Sequence, residues 1–290
     1  MRKLLIAFIV IALIITILFS VLFFNIVLNK RFLNIRPYPG LSRDEYGFVH
    51  IVNDDLRLQG YLRESPTSDS YVLLIHGYTG NGATMLEYAD YYIENGYNIL
   101  IIDHRIHGNS EGEYCTMGIK ESDDILNWID FIVERNPEAR IVLHGISMGA
   151  AALMMATGDD GIEDNVVAAI EDCGFTSALD EFAYQMKERI GIEARLLLKA
   201  SSLYARFKAG FFYGENSPIE SIKDSQVPTL FIHGSKDNFV PFYMVEELYN
   251  SADCEKELLV VEGAGHVMSH IVEPEKYWST VDSFLEKQGF

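Results

Sequence analysis

The chain has 290 residues, 49% hydrophobic and 22% charged, with 42 acidic against 23 basic side chains and a formal charge of −19. This excludes a disordered chain, 22 Gly and 8 Pro exclude collagen-like or low-complexity architecture, and the length fits one large domain or two small ones. Residues 1–36 hold five basic side chains and no acid, so the rest carries −24 and should repel nucleic acid, while Cys115, Cys173 and Cys254 suggest neither a disulfide framework nor a zinc site.

From Leu4 to Leu28 the chain is uncharged, with only Thr16, Ser20 and Asn25 as polar interruptions. As a helix those 25 residues span roughly 37 Å, enough to cross a bilayer. The run is longer than a secretory signal and shows no Ala-x-Ala pattern, so we read residues 1–36 as an uncleaved, single-pass membrane anchor. Arg2 and Lys3 on one flank nearly balance Lys30, Arg31 and Arg36 on the other. A signal-anchor with an extracytoplasmic domain is the reading we carry forward.

Pro37-Tyr38-Pro39-Gly40 reads as a linker into a domain over 37–290. Alternating patterns at 48–51 and 58–62 suit a hairpin or antiparallel edge strands. Short apolar runs at 72–75, 99–102, 141–143, 166–170, 230–232 and 258–261 read as buried parallel strands. Helical stretches at about 83–95, 122–134, 148–157, 243–251 and 274–286 separate them, which predicts an α/β fold: a doubly wound, mostly parallel sheet covered on both faces. Residues 175–226 are too long for a simple crossover and carry Phe182, Met186, Leu196, Phe207, Phe212 and Tyr213 among other apolar residues, which suggests an inserted helical cap.

Chemistry concentrates after the run at 141–143. There His144-Gly145-Ile146-Ser147-Met148-Gly149 joins a strand to a small-residue helix, the context of a nucleophile elbow. Ser147 is the candidate nucleophile; a hydroxyl at neutral pH needs a base within reach and a carboxylate to orient that base. Asp237 follows the run at 230–232 and His266 the run at 258–261, in the chain order Ser, Asp, His. His76, His144 and His233 precede glycines at strand ends, where packing roles are commoner, and His270 is a weaker rival base. Glu171 and Asp172 are rival acids. The Met148 and Tyr78 backbone N–H groups are the candidate oxyanion donors, the second from the turn His76-Gly77-Tyr78-Thr79-Gly80.

His76-Gly77-x-x-Gly80, Asp103-x-Arg105-x-His107-Gly108-x-Ser110-x-Gly112, Gly145-x-Ser147-x-Gly149, Asp237 and His266 together resemble the serine α/β-hydrolase superfamily over about residues 46–288. The wording around Leu143–Gly149, Ile170–Gly174 and Phe239-Val240-Pro241 more narrowly resembles membrane-anchored, uncharacterised hydrolases of Gram-positive bacteria. The resemblance implies that the 103–112 loop shapes the wall of the site without a catalytic step, and Ile106 departs from it where a glycine is frequent. The sequence thus points to a membrane-tethered serine hydrolase that cleaves a small-molecule carboxylic ester through an acyl-enzyme, with no metal or organic cofactor. A serine peptidase or thioesterase on the same fold, or a membrane-tethered non-catalytic binding protein, are the alternatives. Oligomeric state is left open.

Overall fold

Eight strands, β1 (Gly47–Asn53), β2 (Leu56–Arg63), β3 (Ser70–Ile75), β4 (Asn98–Ile102), β5 (Arg140–Ile146), β6 (Val166–Asp172), β7 (Thr229–Gly234) and β8 (Lys256–Val261), form one sheet in the computed structural model. Their order is β1-β2-β4-β3-β5-β6-β7-β8. β2 pairs antiparallel with β1 and β4, and every pairing from β4 through β8 is parallel. The described residues are 1–33, 35, 38, 40–42, 44–65 and 68–290; the proposed linker lies partly outside them, as does the domain boundary at 36/37.

The helices among the described residues are α1 (Arg2–Leu28), α2 (Leu86–Glu94), α3 (Ile119–Arg135), α4 (Met148–Thr157), α5 (Ala178–Ile190), α6 (Arg195–Ala209), α7 (Pro218–Asp224), α8 (Tyr243–Ser251), α9 (Ser269–Val272) and α10 (Pro274–Lys287). Strand alternation decides what each side of the sheet buries. Leu73 and Ile75 of β3 join Ile125 and Trp128 of α3, Leu153 of α4, Ile222 of α7 and Leu248 of α8. Their neighbours Val72 and Leu74 face the other way, toward Tyr88 and Tyr92 of α2 and Val281 and Phe284 of α10. The doubly wound arrangement therefore follows from continuous apolar runs that leave neither face of the central strands for water.

The strands continue past the apolar runs that announce them. β5 reaches through His144 and Gly145 to Ile146, and β6 includes Glu171 and Asp172. Parallel register then aligns these polar ends: Gly145 pairs with Glu171, Ile146 with Asp172, and Asp172 with Ile232. The sheet thus delivers several reactive side chains to one carboxyl rim.

The interval 175–226 divides differently from the expected cap. α5 and α6 share a third core with Met148, Phe175, Phe211 and Tyr213. α7 instead packs on α4 and α8 through Ile222 and belongs to the body. Leu196 and Phe207, counted among the cap's apolar residues, are each 84% exposed. α1 also departs from a free anchor. Its first eighteen residues stand away from the body, but Ser20, Phe24 and Leu28 are buried against α6 and the 114–119 segment.

Candidate active site

Ser147 sits between β5 and α4 with φ 54° and ψ −117°, a strained backbone for a non-glycine residue. The glycines on either side make the turn possible by close approach. A Cβ on Gly149 would lie 2.3 Å from the Ile75 carbonyl oxygen, and one on Gly145 would lie 2.6 Å from the Gly149 carbonyl carbon. Ala150, Ala151 and Ala152 are fully buried, so α4 lies hard against its neighbours and holds its first turn still.

Around that turn the fold gathers the side chains singled out by the sequence. His266 Nε2 lies 2.9 Å from Ser147 Oγ, and His266 Nδ1 lies 2.7 Å from Asp237 Oδ2. The other oxygen of Asp237 accepts the Phe239 N–H at 2.8 Å and the Val240 N–H at 2.9 Å. Those three contacts fix the plane of the carboxylate. Phe239 stacks on the imidazole, with ring centroids 4.9 Å apart.

The rival residues are otherwise engaged. Asp172 accepts a hydrogen bond from the Tyr277 hydroxyl at 3.0 Å, and burial pushes its carboxyl up to about 7. Glu171 accepts the Gly174 N–H, and burial pushes it up to about 8. His144 lies between the Tyr92 and Tyr277 hydroxyls, His233 meets the Val240 carbonyl, and His270 meets the Tyr88 hydroxyl. His76 accepts the His104 N–H and donates to the Gly77 carbonyl. Burial lowers all four imidazoles below their usual range, which suits neutral, packed rings.

Gly77 runs past Ser147 so closely that an added Cβ would lie 3.1 Å from the Ser147 Cβ. Tyr78 follows it, and Met148 opens α4, where a first-turn N–H has no acceptor within the helix. The 103–112 loop braces this turn from behind. Asp103 accepts from the Gly82 and Asn109 N–H groups and from the Tyr61 hydroxyl, and His107 Nε2 accepts the Thr79 N–H. Ile106 adopts φ 67°, the left-handed region in which glycine is unstrained, so the departure from the family pattern sits at a position that demands that conformation.

Above Ser147 lies a cavity of about 1010 Å³, lined by Tyr78, Phe175, Phe182, Met186, Phe239 and His266 among others. Two contributors were not foreseen. Phe23, Ile26 and Val27 of α1 form part of the wall, and the Tyr78 hydroxyl donates to the Val27 carbonyl. Glu181 also lines the cavity; it is 2% exposed, one carboxylate oxygen lacks a hydrogen-bond partner among the described residues, and burial pushes its carboxyl up to about 8. The signal for Glu181 was its spacing: with Phe182, Gln185, Met186 and Arg189 it shares one face of α5. Cys173, Asp237 and His266 bring potential metal-ligand atoms within 4.8 Å of one another. Burial raises the Cys173 thiol's pKa, however, and His266 Nδ1 is already paired with Asp237, so the donor set favours the hydrogen bond over a cation.

Comparison with known proteins bears on the fold and the general class of chemistry. A family model described as serine aminopeptidase, S33, matches residues 66–170. The uncharacterized protein YqkD of Bacillus subtilis is 29% identical over 233 residues, covering 80% of this chain and 76% of that protein. The α/β hydrolase domain-containing protein WAV2 of Arabidopsis thaliana is 29% identical over 227 residues, covering 74% and 70%. A solved structure of the Pyrococcus furiosus esterase Pf2001 superposes with a TM-score of 0.70 at 26% identity, over 87% of this chain and 98% of that one. The chain has the α/β-hydrolase fold. As a hydrolase of this fold it has the expected mostly parallel sheet, with its cavity at the carboxyl rim of the strands.

Proposed function

We propose that this hydrolase is a serine esterase that works through an acyl-enzyme. Ser147 attacks the ester carbonyl, His266 takes the hydroxyl proton and returns it to the leaving alcohol, and Asp237 holds the imidazole in the required tautomer. The backbone N–H groups of Tyr78 and Met148 meet the oxyanion. The carrying observation is the continuous line from Ser147 Oγ through His266 to Asp237, at 2.9 and 2.7 Å. Water then enters the same line to release the acid. Each step uses only side chains and backbone amides of this chain.

The description of the matching family, serine aminopeptidase, raises an aminopeptidase as the second reading. Such an enzyme must hold a free ammonium group near the scissile bond. Glu181 is the cavity's buried carboxyl, and its elevated pKa leaves it mostly neutral at pH 7, which weakens it as an ammonium anchor. Phe175, Phe182, Met186 and Phe239 favour an apolar acyl group. α1, long and apolar enough to cross a membrane, serves in this proposal as a single-pass anchor with the domain on the extracytoplasmic side.

Wild type and Ser147→Ala, compared as full-length chains on a p-nitrophenyl ester, test the nucleophile. Loss of about 10⁴-fold or more in kcat/KM is expected. An unchanged rate would refute the assignment. Covalent labelling of wild type, and not of Ser147→Ala, by a fluorophosphonate probe separates an active hydrolase from a silent binding protein.

A further inference from the structure

The apolar run of α1 exceeds what a bilayer requires. About 20 helical residues cross a hydrocarbon core of roughly 30 Å, so a span beginning at Leu4 ends near Phe23. The domain grips the helix from Ser20 onward, in the last turn of that span. Ser201 Oγ donates to the Ser20 carbonyl, Phe24 packs edge-on against Tyr204, and Phe23 packs edge-on against Phe182. The last carbonyls of a helix lack partners within it, and here the Tyr78 hydroxyl takes that of Val27 while the Cys115 N–H takes that of Leu28. The cap is therefore clamped where the helix would leave the membrane.

The surface next to this clamp is unlike the rest of the molecule. Leu196, Leu203 and Phe207 lie on one face of α6 and are 84%, 64% and 84% exposed. Ile190 and Ile192, in and just after the last turn of α5, are also more than half exposed. Between residues 187 and 210 there are six basic side chains and two acidic ones, in a chain whose total charge is −19. An apolar helix face bordered by cations suits the headgroup layer of an anionic bilayer. Continuity with α1 favours that occupant over a second copy of the chain.

The cavity mouth carries the same chemistry. Ile26 of α1, Ile190 of α5 and Ile271 of α9 all line the cavity, yet each is more than half exposed. We propose that α1 and the cap form a port from the bilayer to Ser147, and that the substrate is a membrane-resident, long-chain acyl ester. The acyl chain moves along Ile26, Phe23 and Val27 without crossing water. This rests on the serine-esterase reading and adds the substrate's physical state and route.

The test uses the full chain in vesicles of diether phosphatidylcholine with a minority of diether phosphatidylglycerol, whose lipids contain no carboxylic ester. Two probes are compared: 1-oleoylglycerol in the bilayer and p-nitrophenyl butyrate in water. The double variant Leu203→Glu/Phe207→Glu should lose about tenfold in rate on 1-oleoylglycerol and keep its rate on p-nitrophenyl butyrate, which also reports correct folding. Ile26→Trp, which narrows the mouth, should slow 1-oleoylglycerol more than p-nitrophenyl acetate. Equal rates of the double variant and wild type on 1-oleoylglycerol overturn the port, as does a dimer that the double variant dissolves. If wild type lacks Ser147-dependent turnover of the soluble ester, the parent reading fails instead.

Discussion

The floor and the roof of the cavity differ in how they are held. On the floor, Asp237 receives two backbone N–H groups and faces His266, and Ser147 is fixed by a strained φ and by glycines that leave no room for a Cβ. The roof of α1, α5 and α6 is held mainly by ring packing among Phe23, Phe24, Phe182, Tyr204 and Tyr213, and its outer face is apolar and bare. Hydrogen bonds are directional and tolerate little displacement, whereas apolar contacts tolerate exchange at similar volume. The floor accordingly suits chemistry and the roof suits selection of a substrate.

The comparison predicts steep losses below and graded ones above. Asp237→Asn should lower kcat about 10⁴-fold, because an amide in that place leaves the imidazole in the wrong tautomer, while Asp172→Asn should stay within a few-fold of wild type. Steady-state kinetics on one ester compares them, and equal losses would break the assignment of the acid. Gly149→Ala drives a Cβ into the Ile75 carbonyl, and we expect a loss of at least about 3 kcal/mol in stability, read by chemical denaturation. Met186→Trp should shift preference toward shorter acyl chains by about tenfold in relative kcat/KM and leave kcat on an acetyl ester nearly unchanged.

A further effect lies in the pH dependence of stability. Glu171 and Glu181 are raised from an ordinary 4.5 to about 8, so the folded chain keeps protons that the unfolded chain releases. Stability is therefore lost as pH rises from about 4.5 to about 8. Glu171→Gln removes one such proton, and its thermal midpoint should exceed that of wild type near pH 9 by more than it does near pH 5, by on the order of 2 kcal/mol in stability. A pH-independent difference would show that Glu171 does not hold its proton in the folded state.

Several features were legible from residue order. Continuous apolar runs gave the central strands, because a strand buried on both faces has no polar alternation to show. The Gly145-x-Ser147-x-Gly149 turn was legible because only glycine fits so tight a junction. The chain order of Ser147, Asp237 and His266 suggested which side chains to test together. The strand ends were read too short, since His144, Gly145, Glu171 and Asp172 interrupt the apolar pattern where the sheet continues.

Sequence by itself determined the layered α/β architecture and the length of α1, because both depend on the period and extent of apolar residues along the chain. Only the tertiary structure decided which acid faces His266, since Asp172 ends β6 and Asp237 follows the neighbouring β7, and they differ in which partner each meets at the rim. It also decided that Phe23 and Val27 of the long apolar helix are cavity wall, and that Leu196 and Phe207 stay outside. These depend on contacts between separate segments of the chain, and local periodicity carries no information about which of them meet.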